Sequence, residues 1–454
     1  MRVACHSVKR AAKFATMSST RPIATAAMEH GGDVRVVSYN LLSSGLCEPS
    51  HFVHCDPADL HPPTRLARVL KKLKPECDAC AVLCLQEVSR TWAGALHTFF
   101  AARDYHFVPA LYGSAFSDYM GVALAWPRGV YRPRVIDMAR LADTAPAWPA
   151  PPRPLPLAQR LKNAVVDAAN AARWHLGFLN RRSEISNTED EDAWDRARRR
   201  KNVLVFARLE KIATGRQFGI ACYHMPCLFR TVSDRQTMVL HASLAARRTA
   251  ELAGTGVPFV LAGDFNARPD SAVYEFLSRG ALGAGTGGMA VGAAESGAET
   301  EADAEASAGA VAPVTHEEWP LNVVDRRPPL GGQNTANGDE HCGYWDPSLA
   351  SPLRSAYAQH SGGEPDFTNY AMTKRDAHPF IETLDYIWLS TGVTASQITA
   401  DEGASTDGHT CDWQVLDVLD MPHRDAHMGT ASFPTPTEPS DHIMIGASLR
   451  LGSA

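Results

Sequence analysis

The stretch LAGDFNARPD, residues 261–270, is typical of a buried β-strand that ends in polar side chains. The apolar run VPFVL (257–261) leads into it, and the turn that follows predicts a helix over SAVYEFLSR. Because Asp264 and Asn266 are two residues apart, an extended backbone points both side chains to one face. A carboxylate beside an amide suits a hard cation and a phosphate, although a strand followed by an Asx turn explains this stretch equally well.

The composition limits the class of protein. The chain has 454 residues, 45% hydrophobic and 21% charged, which is enough for a large core or for two domains. Its net charge is -6, so any contact with nucleic acid must be local. No apolar run reaches the ~18–20 residues of a membrane span, so we expect no membrane partner. Ten cysteines without paired spacings indicate free thiols in a reducing compartment, and the cluster Cys77, Cys80 and Cys84 lacks the second ligand pair of a zinc finger.

Residues 1–28 contain five basic residues, no acid, and abundant Ser, Thr and Ala. This composition resembles a mitochondrial transit peptide. The alternatives are a disordered tail or a true start at Met17 or Met28. We therefore expect residues 1–32 to be a targeting or disordered segment, and the protein to act in the cytoplasm or the mitochondrion.

From Val34 onward, apolar runs predict strands, and amphipathic runs predict helices. The run TRLARVLKKL (64–73) predicts a helix with its leucines and Val69 on one face and its Arg and Lys residues on the other. Two further helices are predicted at about 91–102 and 232–253. The predicted strands are 34–40, 81–88, 121–127, 203–210 and 217–224 as a hairpin, 257–261, 382–390, and a last one from His442.

Two stretches interrupt this pattern and are predicted to be insertions in one domain, residues 33–454. The first, about 138–200, is rich in proline and charge and contains a helix around 157–175. The second is about 281–345. Its part 284–318 has no Lys or Arg and little apolar surface to bury, so it is predicted to be disordered. Residues 400–437 are predicted to form a long loop.

Eight polar side chains lie at or beside the ends of as many as six apolar strands. Each alone has an ordinary explanation as a helix cap, a turn residue or a structural histidine. Together they predict one polar pocket at one edge of a stack of sheets. They are Asn40, Glu87, His224, Asp264, Asn266, Asp385, Asp441 and His442.

The motifs around these residues resemble the endonuclease/exonuclease/phosphatase superfamily. The resemblance is closest to its deadenylase-type branch, which contains the carbon-catabolite-repressor nucleases, nocturnin, Angel and the 2′-phosphodiesterase. It implies an α+β fold, a four-layer α/β/β/α sandwich of two packed, mostly antiparallel sheets flanked by helices. The matching motifs are SYNLL (38–42), LCLQEV (83–88), LAGDFNARPDS (261–271), LRSAY (353–357), DFTNY (366–370), LDYIWLS (384–390) and PSDH (439–442).

The resemblance implies a metal site. Glu87 is expected to be the principal Mg²⁺ ligand, supported by Asn40, and Mn²⁺ is an expected substitute. Asp264 is available to a second metal, and Asp441 closes the site. The predicted ligands are oxygen atoms, with no cluster of thiolates or histidines, and a hard cation such as Mg²⁺ prefers oxygen ligands.

The same resemblance implies catalytic roles. Asp264 and Asn266 are expected to position the attacking water and the phosphate, and His224 to contact the phosphate. His442 is expected to pair with Asp385, and this dyad either activates the nucleophile or stabilises the phosphorane.

On the substrate side, the resemblance implies that Phe380 stacks on a terminal base and that Asn369 belongs to the same region. The chain departs from the family at 222–224, where Cys-Tyr-His replaces the usual Asn-Thr-His, and this puts the choice of substrate in doubt. The basic run 196–201 could hold an RNA backbone or form a solvated loop.

Three functions remain open. The first is a Mg²⁺-dependent 3′→5′ exoribonuclease that acts on an RNA 3′ end, poly(A) above all, and releases 5′-AMP. The second is a 2′–5′ oligoadenylate phosphodiesterase or an NADP(H) 2′-phosphatase on the same fold. The third is an inactive RNA-binding scaffold. The complete set of predicted metal ligands and catalytic residues argues against it, because an inactive relative usually loses a metal ligand. The sequence contains no leucine-rich repeats of the kind that tether large members of the family to a complex, and we expect a monomer.

Overall fold

The computed structural model describes residues 33–146, 148, 193–282, 348–374, 376, 378–392, 413–424 and 432–451. Residues 1–32, the helix predicted around 157–175 and the segment 284–318 lie outside these described residues. In the described part of the chain, no helix is long and apolar enough to cross a membrane.

The described residues form fourteen strands and seven α-helices. The strands are β1 (Asp33–Asn40), β2 (Val82–Val88), β3 (Tyr105–Leu111), β4 (Gly121–Pro127), β5 (Tyr131–Arg140), β6 (Val203–Lys211), β7 (Gln217–His224), β8 (Phe259–Asp264), β9 (Leu353–Ser355), β10 (Asn369–Ala371), β11 (Phe380–Glu382), β12 (Asp385–Ser390), β13 (Trp413–Val418) and β14 (Ile445–Leu451). The helices are α1 (Pro57–Leu60), α2 (Pro62–Asp78), α3 (Arg90–Ala101), α4 (Ala193–Arg199), α5 (Val232–Ala253), α6 (Ala272–Arg279) and α7 (Ala356–Ser361).

Twelve of these strands form two six-stranded sheets, and β10 and β11 form a separate two-stranded ribbon. The order is β13-β14-β1-β2-β4-β3 in the first sheet and β5-β6-β7-β8-β12-β9 in the second. Each sheet has one parallel pair near its middle, β1 with β2 and β7 with β8, and its other pairs are antiparallel. Because parallel strands end at the same edge, the polar ends of each central pair lie side by side.

The two sheets pack face to face, and helices cover both outer faces. Alternation along β8 shows how the sequence specifies this: Val260 and Ala262 face the first sheet, whereas Leu261 faces α5 and α6. Helices α2 and α3 bury an apolar stripe against the outer face of the first sheet. Burying each large apolar side chain contributes about 1.5–3 kcal/mol. The predicted four-layer α/β/β/α sandwich is confirmed.

Three local expectations differ from the structure. Arg65 lies on the buried face of α2, not on the outer one, and is fully buried. Strand β13 lies within the predicted loop 400–437. Among the described residues it pairs only with β14, and its mix of polar and apolar residues does not give the pattern of a strand. The predicted insertion at about 138–200 overlaps β5, which pairs with β6 as far as Arg140, and its end contains α4.

Candidate active site

The polar strand ends open into one cleft of about 900 Å³. Most of the side chains predicted from the sequence line it, and Asn40 and Asp385 lie directly behind them. The structure thus brings all the predicted site residues together. Those that line the cleft are Glu87, His224, Asp264, Asn266, Asn369, Phe380, Asp441 and His442.

Glu87 is held in an unusual backbone conformation. Its φ is 55°, and it lies where the pairing of β2 with β4 shifts register between Leu85 and Val88. A non-glycine residue at positive φ costs about 1–3 kcal/mol, and residues in such strained conformations cluster at functional sites. The carboxylate accepts hydrogen bonds from the Ser43 backbone N–H at 2.8 Å and from the Asn40 amide at 3.2 Å. The bulge therefore aims a fixed carboxylate into the cleft.

Asp264 lies across Asn40 from Glu87, and its carboxylate accepts hydrogen bonds from residues of both sheets. Its Oδ2 accepts from Asn40 Nδ2 at 3.0 Å, and its Oδ1 accepts from the Asn266 backbone N–H at 2.8 Å. Asn266 has a φ of 48°, and its own amide donates to the Met225 carbonyl at 3.0 Å. Asn40 thus links the Glu87 and Asp264 carboxylates through its amide nitrogen, while its oxygen accepts from the Leu42 N–H at 2.9 Å.

His442 and Asp385 form the predicted dyad. His442 Nδ1 lies 2.8 Å from Asp385 Oδ2, and its Nε2 lies 3.7 Å from Asp264 Oδ2. The same Asp385 oxygen accepts from the Thr368 hydroxyl at 2.6 Å. The Thr368 oxygen also accepts from the backbone N–H groups of Leu384 and Asp385. Thr368 therefore orients Asp385, which in turn orients His442.

Buried charges set the protonation states of the site. Burial alone would raise the pKa of Asp264, but His442 and the hydrogen bond from His224 lower it to about 2. Burial alone would lower the pKa of His442, but the carboxylates of Asp385 and Asp264 raise it well above its ordinary value. The pKa of His224 is raised by Asp264 against the opposing effect of burial. Asp264 is thus an ionised acceptor, and His442 is a cationic donor.

Thr368→Val should lower kcat by roughly tenfold with little change in KM, because Asp385 loses the donor that fixes its orientation. The free energy of unfolding should fall by about 1–3 kcal/mol, since two buried N–H groups lose their acceptor. Thr383→Val is the matched control: the buried Thr383 hydroxyl lies two residues before Asp385 but donates to the Pro365 carbonyl and not to the dyad. If both variants lose stability and both keep full kcat, Thr368 has no positioning role.

Glu87 and Asp441 fit a divalent cation. Burial raises the pKa of Asp441, and although His442 opposes this, the nearby Glu87 carboxylate raises it further. Two carboxylates that repel each other in one partly buried cleft are what a hard cation neutralises. These side chains would hold the ion, with Asn40 fixing Glu87 from behind.

A second group has the composition of a metal site but a different arrangement. Ligand atoms of Asp264, Asp385 and His442 lie within 4.8 Å of one another. Within this group, however, His442 Nδ1 and Asp385 Oδ2 are bonded to each other, and Thr368 occupies the same carboxylate oxygen. We interpret the group as a hydrogen-bonded relay rather than a cation cage.

Several residues of the site were not predicted from the sequence. The Asn202 amide donates to the His224 carbonyl at 2.8 Å and lines the cleft. Arg65 donates to the carbonyls of Leu41 and Leu42, both at 2.6 Å, and to that of Pro439 at 2.7 Å. It thereby ties the segment after Asn40 to the segment before Asp441. Ser43 and Thr368 complete this supporting set.

The departure at Cys222 lies outside the cleft wall. Cys222 is fully buried between the sheets, where it accepts from Gln86 Nε2 at 3.2 Å and lies 3.5 Å from the Leu85 carbonyl. This substitution therefore changes the support beneath the neighbouring Glu87 and not the lining of the cleft.

A family model described as the Endonuclease/Exonuclease/phosphatase family matches residues 37–442. The chain belongs to this family. The predicted superfamily is thereby confirmed, and so is the prediction of an enzyme that hydrolyses phosphate esters. Enzymes of the family generally depend on a divalent cation, in agreement with the Glu87 and Asp441 carboxylates that line the cleft.

Individual relatives of this family member are distant. The chain is 23% identical over 288 residues to the CCR4-Not complex 3′-5′-exoribonuclease subunit Ccr4 of Phaeosphaeria nodorum, a match that covers 55% of this chain and 43% of the relative. The match thus spans less than half the length of that curated relative. The structure of ANGEL2, a 2′,3′-cyclic phosphatase in complex with adenosine-2′,3′-vanadate, is 20% identical, with a TM-score of 0.55 over 92% of this chain and 96% of that one. The human nocturnin catalytic domain is 16% identical, with a TM-score of 0.48 over 93% and 94% of the chains.

Proposed function

We propose that the protein is a Mg²⁺-dependent 3′→5′ exoribonuclease that prefers poly(A) ends and releases 5′-AMP. The observation that carries this proposal is an aromatic ring, Phe380, in the wall of a cleft whose floor holds Glu87, Asp264 and His442. Such a wall offers a stacking surface for a base beside groups suited to phosphodiester hydrolysis. The similarity to Ccr4 supports the same substrate class.

The side chains divide the chemistry as follows. Asp264 is ionised, so it accepts a hydrogen bond from the attacking water and orients it. As the water oxygen bonds to phosphorus, its proton passes to Asp264, and the bond from phosphorus to the 3′ oxygen of the preceding nucleotide breaks; solvent protonates that oxygen. His442, a cation held by Asp385, donates from Nε2 to the oxygens on which negative charge builds during attack. The Asn266 side chain and His224 line the same part of the cleft and contact the phosphate. A bound Mg²⁺ would polarise the phosphate and neutralise that charge.

The ribbon β10–β11 links base recognition to this chemistry. Asn369 forms a β-bridge with His442, and the Tyr370 N–H donates to the Asp441 carbonyl at 2.8 Å. Ala371 pairs with Phe380 across the ribbon. The Asn369 Oδ1 is buried and has no hydrogen-bond partner among the described residues. The amino group of an adenine whose ring stacks on Phe380 would supply that missing donor. Asn369 is therefore the group that selects adenine in this proposal.

A second candidate is a phosphoesterase for 2′–5′ oligoadenylate, NADP(H) or a 2′,3′-cyclic phosphate end. The adenosine-2′,3′-vanadate bound in ANGEL2, which shares this fold, favours it. An inactive scaffold is the least supported function, because the acids, histidines and amides predicted for catalysis all converge on one cleft.

A substrate panel separates these functions. Purified full-length protein with Mg²⁺ would be assayed on poly(A), poly(U), 2′–5′ oligoadenylate, NADPH and RNA ending in a 2′,3′-cyclic phosphate. Rapid release of 5′-AMP from poly(A) alone supports the proposal, and faster turnover of any other member overturns it. Mn²⁺ in place of Mg²⁺ should support activity, and a chelator should abolish it. The monomeric state and the compartment, cytoplasm or mitochondrion, stay predictions.

Phe380→Ala should lower kcat/KM on oligoadenylate roughly 5- to 150-fold, because a stacked base contributes about 1–3 kcal/mol. Hydrolysis of a small non-nucleotide phosphodiester should stay nearly unchanged, since it has no base to stack.

Phe380→Tyr is the conservative control, because it keeps an aromatic ring, and it should retain most of the activity on oligoadenylate. Equal loss of both activities in Phe380→Ala, or a large fall in melting temperature, would show that Phe380 supports the fold rather than the base.

A further inference from the structure

A group of cationic side chains lines one end of the cleft, where α4 ends. Arg199, Arg200 and Lys201, here called the basic arm, all contribute to the lining. The basic arm therefore presents three positive charges to a cleft whose floor is acidic.

Helix α4 has only seven residues, yet it is fixed by buried polar contacts. Arg196 and Asp234 form an ion pair in which both side chains are 6% exposed. His241 Nε2 lies 3.0 Å from the Ala197 carbonyl, and its Nδ1 lies 2.7 Å from the Tyr223 hydroxyl. Burial lowers the pKa of His241 to about 4, so the ring is neutral and donates to the helix from Nε2. These contacts fix α4, and with it the backbone that leads into the basic arm.

The basic arm is next in the chain to a residue that contacts the catalytic centre. Lys201 precedes Asn202, whose amide donates to the His224 carbonyl, and Arg140 Nε donates to the Arg200 carbonyl at 2.9 Å. In the second sheet, β6 and β12 lie on opposite sides of the β7–β8 pair. The basic arm at the start of β6 and Phe380 just before β12 therefore flank the centre from opposite sides.

We propose that the basic arm is a subsite for the phosphates of an extended single-stranded polynucleotide whose terminal base lies at Phe380. Each phosphodiester carries one negative charge, and arginine and lysine contacts to it release condensed counterions. In a chain of net charge -6, a polyanion that approaches the acidic floor needs such a local cationic group. This inference rests on the proposed function for the direction of the strand, and it predicts that the enzyme distinguishes an oligonucleotide from a mononucleotide by charge.

The test measures binding rather than turnover. Full-length protein carrying Asp264→Asn, which should not hydrolyse RNA, would be titrated with 5′-fluorescein octa-adenylate by fluorescence anisotropy at several salt concentrations. Adding Arg199→Gln, Arg200→Gln and Lys201→Gln should raise Kd about tenfold or more at low salt. The slope of log Kd against log salt should fall by about 2, since each of three lost contacts contributes about 0.7 for a single strand.

A matched charge control removes three positive charges from surfaces outside the cleft. Lys71, Lys74 and Arg128 are exposed, and none of them lines the cleft. Changing these three residues to Gln should leave the slope within about 0.5 of the parent value. The basic-arm side chains lie at the surface or half-buried, so melting temperatures of all variants should agree within a few degrees, which excludes unfolding as the cause.

The outcomes separate this inference from the proposed function. An unchanged slope in the basic-arm variant, or no binding of the octa-adenylate by the parent protein, overturns the subsite. If the parent binds with a slope that depends on the basic arm but the wild-type protein hydrolyses no RNA, the subsite stands and the exoribonuclease proposal fails. If the wild-type protein hydrolyses RNA but the basic-arm variant has an unchanged KM and an unchanged salt slope, the exoribonuclease proposal stands and the subsite fails.

Discussion

Glu87→Gln should lower kcat at least ~10²-fold while the free energy of unfolding changes by only about 1 kcal/mol. The side chain keeps its size and still has an oxygen to accept from the Ser43 N–H. It loses the second acceptor, toward the Asn40 amide, which accounts for the small change in stability. It loses the charge that, together with Asp441, makes the cleft attractive to a divalent cation. The strained φ of 55° is unaffected, because Gln and Glu share the same backbone preferences. The expected defect is thus chemical rather than structural.

Three measurements check this prediction: Mg²⁺-dependent turnover, paramagnetic titration of Mn²⁺ binding, and thermal unfolding. Glu210→Gln is the matched control, since Glu210 is a buried strand carboxylate that pairs with Arg134 away from the cleft. It should keep full activity and normal Mn²⁺ affinity. Near-normal turnover of Glu87→Gln in Mg²⁺ would rule out Glu87 as the principal ligand.

The catalytic edge was predictable wherever a polar residue follows an apolar strand. Asn40, His224 and Asp264 end strands of the two parallel pairs, and parallel strands end at one edge. Asn202 was missed for the converse reason. It stands just before β6, and β6 runs antiparallel to β7, so the start of β6 lies beside His224 at the end of β7. Asp385 also stands at the start of a strand, β12, but the motif LDYIWLS pointed to it, whereas no motif pointed to Asn202.

Other features leave little trace in the sequence. Arg65 fits the charged side of an amphipathic helix, yet it is buried because three carbonyls near the site accept its hydrogen bonds and its guanidinium lies 5.1 Å from the Trp92 ring. The bulge at Glu87 contains no glycine or proline from which it could have been predicted. Both features are fixed by contacts between residues far apart in the chain, which local periodicity does not report.

Arg196→Gln should lower the free energy of unfolding by about 3 kcal/mol, the lower end of the cost of breaking a buried ion pair. The reason is Asp234, which stays buried and charged after its partner is removed. Asp234 still accepts from the backbone N–H groups of Arg230 and Thr231, in the capping box of α5, and these two bonds limit the loss. The change should also release α4, so octa-adenylate binding should weaken even though the basic arm keeps all three charges.

Chemical unfolding and the anisotropy titration together test this prediction. Arg198→Gln is the matched control on the same helix: its 3.1 Å pair with Asp195 is partly exposed and should contribute only about 0–1 kcal/mol. Equal stabilities of the Arg196 and Arg198 variants would mean that the buried pair does not anchor α4. In that case the orientation of the basic arm must come from His241 and Arg140, whose contacts with the Ala197 and Arg200 carbonyls would remain.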